Sequence, residues 1–251
     1  GSGTTSFTAT SSNTSVATVA VSGTTITVTP AATGAEVGTT TITVTDGNNN
    51  ENTATCVVTV NRPAGALLSA ATSGHVGYVV GANGRLYATL SDLTTDNTTA
   101  VGVLAYSGSM GHGLIISLEN ATSQTWNTIN GWSNQTTQGF TGKKLPDAAA
   151  RGNLASYTTL GSMTVSDWMV LSKDDYTTMW NAFGGATNGT YNSTSNGYIT
   201  DAGGTACSGF YWSTTEYSSS DAWGFYSDGW RGYDVNGSKS NSRGVRPVLA
   251  F

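Results

Sequence analysis

Apolar and polar residues alternate along the first part of the chain, from Thr10 to Val60. Apolar side chains with a period of two, and threonines between them, are typical of half-buried antiparallel strands. The segments "VSG" and "DGNNNEN" supply turn residues between these strands, so the pattern predicts a small β-sandwich. The apolar positions that it places on inward faces are Ile26 and Val28, Ile42 and Val44, and Cys56, Val58 and Val60.

The pattern changes after the proline–glycine break "NRPAG" (Asn61–Gly65). The segment "HVGYVVGANGRLYAT" predicts a β-hairpin with Asn83 and Gly84 at its turn. The segments "AVGVLAYSG" and "GLIISLE" predict two further strands. The second is apolar enough for the centre of a sheet.

Two segments have helical spacing. In "SQTWNTINGWSNQ" the residues Trp126, Ile129 and Trp132 recur about once per helical turn, which predicts a short helix. A longer helix is predicted after Ser172, a good N-cap residue. Asp174 and Asp175 fall in its first turn, and its apolar face consists of Tyr176, Met179, Trp180 and Phe183.

The end of the chain is dense in aromatic residues set among serine, glycine and aspartate. Tyrosine and tryptophan offer large contact area with few torsions to freeze, and small polar residues adapt their hydrogen bonds, as in antibody paratopes. This composition predicts a binding surface. The aromatic residues concerned are Phe210, Tyr211, Trp212, Tyr217, Trp223, Phe225, Tyr226, Trp230 and Tyr233.

Composition and charge exclude several classes of function. The formal net charge is −5, which argues against nucleic-acid binding driven by phosphate neutralisation. No apolar run has the length of a membrane span, so no membrane insertion is expected. Cys56 and Cys207 lie far apart in the sequence, which favours two isolated buried thiols over a disulfide.

Motifs for catalysis, cofactors and metals are also missing from the sequence. His75 and His112 each stand without an acid or nucleophile at motif spacing, which favours structural roles. The segment "KKLPDAAARGN" places Lys143, Lys144, Asp147 and Arg151 in a stretch that is interpreted as solvated surface. No zinc spacing, phosphate loop or dinucleotide fingerprint is present. The sequence therefore predicts a protein that is not an enzyme and that has no cofactor and no metal.

Residues 1–62 resemble a known domain family. The stretch "SSNTSVATVAVSGTTITVTPAATGAEVGTTTITVT" is similar to bacterial Ig-like domains of the Big-2 kind. The resemblance implies a small all-β Ig-like sandwich that acts as a spacer or stalk.

Residues 63–251 resemble a second family. The segment "DWMVLSKDDYTTMWNAFGG" resembles the Trp-x-Leu-Pro-Ser signature of bacterial C-type lectin folds, with Trp168, Leu171 and Ser172 at the matching places and the proline lost. The words "YWSTTEY" and "RGVRPVLAF" are similar to the endings of variable proteins written by diversity-generating retroelements. The resemblance implies an α+β C-type lectin fold domain that binds a ligand. The calcium-site words "EPN", "QPD" and "WND" of its sugar-binding relatives are absent, which argues against the usual calcium site.

In that family a copying process rewrites adenine-containing codons while the fold stays fixed, here over residues of about 210–246. The implied scaffold residues are Trp168, Trp212, Trp223, Phe225, Arg246 and Pro247, with Val245, Val248 and Leu249 in further buried slots. Alternation along a strand would send the other residues to solvent. The resemblance implies that the variable, ligand-binding face consists of Ser219, Ser220, Asp221, Gly224, Tyr226, Asp228, Trp230, Gly232, Tyr233, Asp234, Asn236 and Ser240.

The leading hypothesis is therefore a ligand- or receptor-binding protein that is displayed outside the cell, on a phage particle or a bacterial surface. Its expected partner is a protein or glycan receptor on a bacterial surface. Two alternatives remain: an invariant carbohydrate-binding or adhesion module of a bacterial surface protein, and a structural component of a virion or fibre.

Overall fold

The computed structural model describes residues 6–30, 38–60, 65–109, 111–184, 193–226 and 235–251. The fold is rich in β-strands and has few helices. The chain divides into two compact units, and the second begins at Gly65. No helix of the described residues has both the length and the apolar character needed to cross a membrane.

The N-terminal unit consists of antiparallel strands. A three-stranded sheet has the order β1-β4-β5, and β2 pairs with β3 in a separate hairpin. The hairpin turns at Gly23, where φ is +60°, a left-handed conformation that glycine adopts without steric cost. The strands are β1 (Phe7–Ser11), β2 (Ala17–Ser22), β3 (Thr25–Pro30), β4 (Gly38–Asp46) and β5 (Asn49–Val60).

The alternating pattern of this unit predicted its strands but overestimated its core. Ile42 and Val60 are buried and Val58 is partly buried, whereas Val28 and Cys56 are exposed. The prediction of a buried Cys56 thiol is therefore wrong. Cys56 lies opposite the buried Ile42 on the same face of the sheet, but it belongs to the edge strand β5, where the packing over that face ends.

The C-terminal unit contains the remaining strands in three sheets. The largest has nine strands in the order β12-β13-β16-β21-β10-β9-β7-β8-β6, and β14 and β15 form a small hairpin. The strands are β6 (Ala66–Leu67), β7 (Val79–Gly81), β8 (Arg85–Tyr87), β9 (Ala100–Ser107), β10 (Gly113–Ser117), β11 (Ala121–Thr125), β12 (Asn134–Thr137), β13 (Phe140–Lys144), β14 (Thr159–Leu160), β15 (Met163–Thr164), β16 (Met169–Leu171), β17 (Phe210–Glu216), β18 (Asp221–Tyr226), β19 (Val235–Ser238), β20 (Ser242–Val245) and β21 (Val248–Ala250).

The nine-stranded sheet is built around β10, all five residues of which are buried. Its neighbours β9 and β21 are also largely buried. This confirms the central position that the apolar run "GLIISLE" predicts for β10. The end of the chain is tied into this core, because Gly113 and Phe251 exchange backbone hydrogen bonds of 3.0 and 3.2 Å. The predicted hairpin turn at Asn83 and Gly84 is present between β7 and β8.

The second sheet has five strands in the order β11-β20-β17-β18-β19 and contains most of the aromatic C-terminal region. Strands β17 and β18 are antiparallel, with Tyr211 opposite Phe225. Strand β20 lies parallel to β17, with Gly244 opposite Tyr211. This sheet positions the candidate functional surface.

Short helices complete the unit: α1 (Leu90–Thr95), α2 (Trp126–Asn130), α3 (Ala148–Arg151), α4 (Lys173–Gly184) and α5 (Ser193–Asp201). Helices α2 and α4 are the two that the sequence predicts. Helix α3 lies within the segment "KKLPDAAARGN", for which the sequence predicts only solvated surface. The helix begins there because the Asp147 carboxylate accepts a 2.9 Å hydrogen bond from the Ala150 N–H and caps its first turn.

Helix α4 begins as its sequence predicts. The Ser172 hydroxyl accepts a 3.2 Å hydrogen bond from the Asp175 N–H and donates a 2.9 Å bond to the Asp175 carboxylate. That carboxylate also accepts a 2.8 Å bond from the Thr141 N–H, which ties the helix start to β13. The buried face of the helix consists of Tyr176, Met179, Trp180 and Phe183.

We expect Ser172→Ala to lower the free energy of unfolding of the C-terminal unit by about 1 kcal/mol, because the N-cap hydrogen bond is lost. Tryptophan fluorescence during urea unfolding isolates this unit, since every tryptophan of the chain follows residue 125. Ser240→Ala, at an exposed position outside the helices, is the matched control. Equal midpoints for the two variants would contradict the capping role.

Candidate ligand-recognition surface

One face of the five-stranded sheet is locked against helix α4 by packed aromatic rings. Tyr211 and Phe225, opposite each other on β17 and β18, stack with their centroids 5.2 Å apart. The Phe225 ring lies 5.1 Å from Tyr176 and 5.5 Å from Trp180 of the helix. All four side chains are buried. Burial of rings of this size is a dominant stabilising contribution in a core, so this inner face is rigid.

The opposite face carries a second row of rings. Phe210 packs edge to face against Trp212, at a centroid distance of 4.8 Å, and against Tyr226, at 5.3 Å. The Arg243 guanidinium lies over the Phe210 ring, 5.4 Å from its centroid. Tyr226 and Arg243 are partly exposed. We call Arg243, Phe210 and Tyr226 the outer row.

Gly224 departs from the predicted outward, variable placement, because it is buried in β18. A Cβ atom at this position would lie 2.3 Å from the Tyr211 carbonyl oxygen and 2.5 Å from the Phe210 ring. Both faces of β18 are therefore covered by rings, one by the stack on α4 and the other by Phe210. The glycine is required by this close approach.

Trp223 departs from the expected buried slot, because it is only half-buried. It packs edge to face with Tyr217, at a centroid distance of 4.8 Å, and the Lys173 ammonium lies 4.1 Å above its ring. Tyr217 is 53% exposed. Sequence reasoning noted Tyr217 among the aromatic residues but assigned it no role. The signal that could have indicated its exposure is its position directly after the polar segment "STTE".

The turn between β17 and β18 is held by Lys239, which is 6% exposed. Its ammonium donates hydrogen bonds to Glu216 Oε1 and to the carbonyl oxygens of Ser218 and Ser219, and it lies 4.7 Å from the centroid of the Trp126 ring. Sequence reasoning missed this residue, since an isolated lysine among serines and asparagines gives no signal of burial.

The predicted variable residues in the described part of the chain lie at different depths. Ser219, Asn236 and Ser240 are exposed, and Asp221 and Tyr226 are partly exposed. The Asp221 carboxylate accepts hydrogen bonds of 3.2 and 2.8 Å from the hydroxyls of Ser218 and Ser220, so it stabilises the turn. Asp228, Trp230, Gly232, Tyr233 and Asp234 lie outside the described residues.

The predicted scaffold residues other than Trp223 are buried. The Trp212 indole donates a 3.0 Å hydrogen bond to the Gln124 carbonyl oxygen, and Trp168 donates a 2.7 Å bond to that of Ala155. The Arg246 guanidinium donates to Asn120 Oδ1 at 3.0 Å and to two backbone carbonyl oxygens, while Pro247 follows it in the buried closing segment.

The two histidines lie outside this surface. His75 Nδ1 lies 3.1 Å from the backbone nitrogen of Thr72, in the cap of a short 3₁₀ helix. His112 lies at the rim of an open pocket of about 260 Å³. In the part of the chain that the structure describes, no three His, Cys, Asp or Glu side chains converge as a metal site. The pocket is lined by Tyr106, Gly108, Ser109, His112, Gln138 and Phe140.

The buried Cys207 is held by the amide side chain of Asn196, which accepts a 2.9 Å hydrogen bond from its N–H and donates a 3.0 Å bond to its carbonyl oxygen. Burial raises the pKa of the Cys207 thiol and of the nearby Tyr211 and Tyr176 hydroxyls, because the charged forms lose solvation. These groups are therefore neutral parts of the core.

A scan against protein-family models and a search of curated proteins found no match to this chain.

We expect Gly224→Ala to destabilise the C-terminal unit by at least about 2 kcal/mol, because the new methyl group overlaps backbone and ring atoms in a packed strand. Gly197→Ala is the matched control, since a Cβ there meets nothing within 4 Å and alanine favours its helix α5. Urea midpoints followed by tryptophan fluorescence compare the two. Equal effects would show that β18 is not packed on both faces.

The two thiols are expected to differ in reactivity. In native protein, Ellman's reagent should modify the exposed Cys56 within minutes, and Cys207 should react only in denaturant, because it is buried and its thiolate is disfavoured. Cys56→Ser should remove the fast phase entirely. Fast modification of the Cys56→Ser variant would contradict the burial of Cys207.

Proposed function

We propose that this chain is a two-domain ligand-binding protein without enzymatic activity, in which an Ig-like spacer precedes a C-type lectin fold domain. The proposed recognition surface is the region around β17, β18 and β19, and a retroelement exchanges its surface side chains. The proposed location is a phage particle or a bacterial surface, where the target is a receptor on a bacterial cell.

The observation that carries the proposal is the separation of interior from surface within one short stretch of chain. Phe225, Trp212 and Arg246 make their contacts inside the unit, whereas Ser219, Asn236 and Ser240 are exposed between them. Side chains that face solvent are exchanged at little cost to the fold, while buried rings and charges are not. A surface of this kind supports the proposal that its side chains vary while the backbone stays the same.

Sequencing the encoding locus tests the diversification. We expect a reverse-transcriptase gene nearby, together with a near-copy of the segment that encodes residues of about 210–246. The differences between the two copies should fall at adenines of the near-copy. Absence of both elements would refute diversification and leave a ligand-binding domain of constant sequence.

Exchange tolerance tests the surface directly. We expect a variant with Ser219→Tyr, Asn236→Tyr and Ser240→Tyr together to unfold within about 1 kcal/mol of the parent protein, because exposed substitutions have small effects. Trp212→Ala should cost about 3–5 kcal/mol, because it opens a cavity in the core. Both are measured by urea unfolding. Comparable losses would contradict the division into scaffold and surface.

A second candidate is a carbohydrate-binding module of constant sequence. The observation that favours it is the partly exposed pair Tyr217 and Trp223, both outside the proposed variable set, since exposed rings stack on the apolar faces of sugars. A glycan array with the parent protein and Tyr217→Ala tests it. Binding that is lost in this variant and kept in Tyr226→Ala would favour the second candidate.

A further inference from the structure

Arg243 has an unusual environment for a partly buried cation. Its guanidinium lies over the Phe210 ring, and its Nε atom is buried without a hydrogen-bond acceptor. The Arg243 Cζ atom lies 5.4 Å from the Phe210 ring centroid, and none of the described oxygen atoms forms a hydrogen bond with the guanidinium. Because the side chain is partly exposed and Nε is buried, the terminal N–H groups are the part of the guanidinium that a ligand could reach.

Three other cations of the described residues have oxygen partners. Lys144 pairs with Asp167 at 2.6 Å, Lys239 pairs with Glu216, and Arg246 donates to Asn120 and to backbone carbonyl oxygens. Arg151 and Arg246 also have a buried Nε without an acceptor. The terminal nitrogens of Arg246 nevertheless donate to oxygen atoms, and among the described residues no aromatic ring lies over Arg151.

A guanidinium on an aromatic ring is a pre-organised receptor for a planar anion. The contact with the ring restricts the side chain, and the N–H donors of the two terminal nitrogens form a fork that matches the two oxygens of a carboxylate. A phosphate carries more charge and is usually held by several donors, whereas the outer row contains one cation, Arg243. The geometry therefore favours a single carboxylate.

The surroundings of Arg243 favour a protein as the source of that carboxylate. Phe210 and the partly exposed Tyr226 continue the outer row beside it, edge to face at 5.3 Å. Arginine, tyrosine and phenylalanine are enriched at the centres of protein–protein interfaces. A glutamate or aspartate set among apolar neighbours on a partner surface would meet the guanidinium and the rings together.

We propose that the outer row is a subsite for an Asp or Glu side chain of a partner protein, with Arg243 as the carboxylate-binding residue and Phe210 as the ring that positions it. This inference rests on the proposed ligand-binding function. Beyond that function, it names a carboxylate as the group that is recognised. It also assigns a binding role to Arg243, which is not among the predicted variable residues.

Selection from a library of displayed random peptides tests the subsite without knowledge of the natural partner. Peptides that the intact chain retains should be enriched in Asp and Glu, although the chain's own net charge of −5 opposes acidic ligands. Individual acidic peptides should bind about tenfold more weakly to Arg243→Gln, because charge-assisted hydrogen bonds are lost. Arg243→Lys keeps the charge without the planar fork and should recover only part of this loss.

Lys144→Gln is the matched control, since it removes one positive charge from a partly exposed ion pair elsewhere on the unit and should leave peptide binding unchanged. Tryptophan fluorescence confirms that each variant is folded. Immobilised polygalacturonate and its neutral methyl ester form a second arm. Arg243-dependent binding to the acidic polysaccharide, without acidic enrichment among peptides, would overturn the assignment to a protein partner.

The outcomes separate this inference from the proposed function. Peptides that depend on Tyr226 but show no acidic enrichment, or that bind Arg243→Gln as well as the parent, would overturn the carboxylate subsite alone. Failure to retain any peptide above background, together with no binding in the polysaccharide arm, would count against both the subsite and the recognition surface.

Discussion

The C-terminal unit depends on one buried positive charge whose terminal nitrogens are paired with oxygen atoms. Arg246 is 0% exposed, and its guanidinium donates to the carbonyl oxygens of Leu118 and Thr205, at 3.0 and 2.7 Å, and to the side chain of Asn120. Its own carbonyl oxygen accepts a 2.7 Å hydrogen bond from the Tyr176 hydroxyl. Because Arg246 lies between β20 and β21, these bonds join the five-stranded sheet to the nine-stranded one. Removal of such a charge leaves several buried acceptors unpaired, which is costly.

Arg243 and Arg246 show how position in the strand decides whether an arginine enters the core or reaches the surface. Both belong to the short word "RGVR", but Arg246 enters the core and meets three oxygen atoms, whereas Arg243 lies on the outer face above a ring. Arg243 lies in β20, and Arg246 directly after this strand anchors its end in the core. A rigid interior of this kind lowers the entropic cost of binding at the surface.

Much of the fold could be predicted from local patterns. The cap at Ser172, the apolar face of α4 and the buried run of β10 follow from spacing and residue type. The candidate surface was less predictable. Alternation assigned Trp223 to the interior and Gly224 to the surface. In the structure Trp223 is only half-buried, and Gly224 is buried because rings cover both faces of β18. Lys239 gave no local signal, since its burial depends on acceptors contributed by the preceding turn.

The sequence by itself determined the strands, the longer helix and the aromatic character of the closing segment, because these depend on the spacing of residues close together in the chain. Only the tertiary structure decided which face of each strand is covered and which charges find partners. Those outcomes depend on residues far apart in the sequence: Arg246 meets Leu118, and Trp212 meets Gln124. Periodicity tells two faces of a strand apart, but it carries no information about what packs on either one.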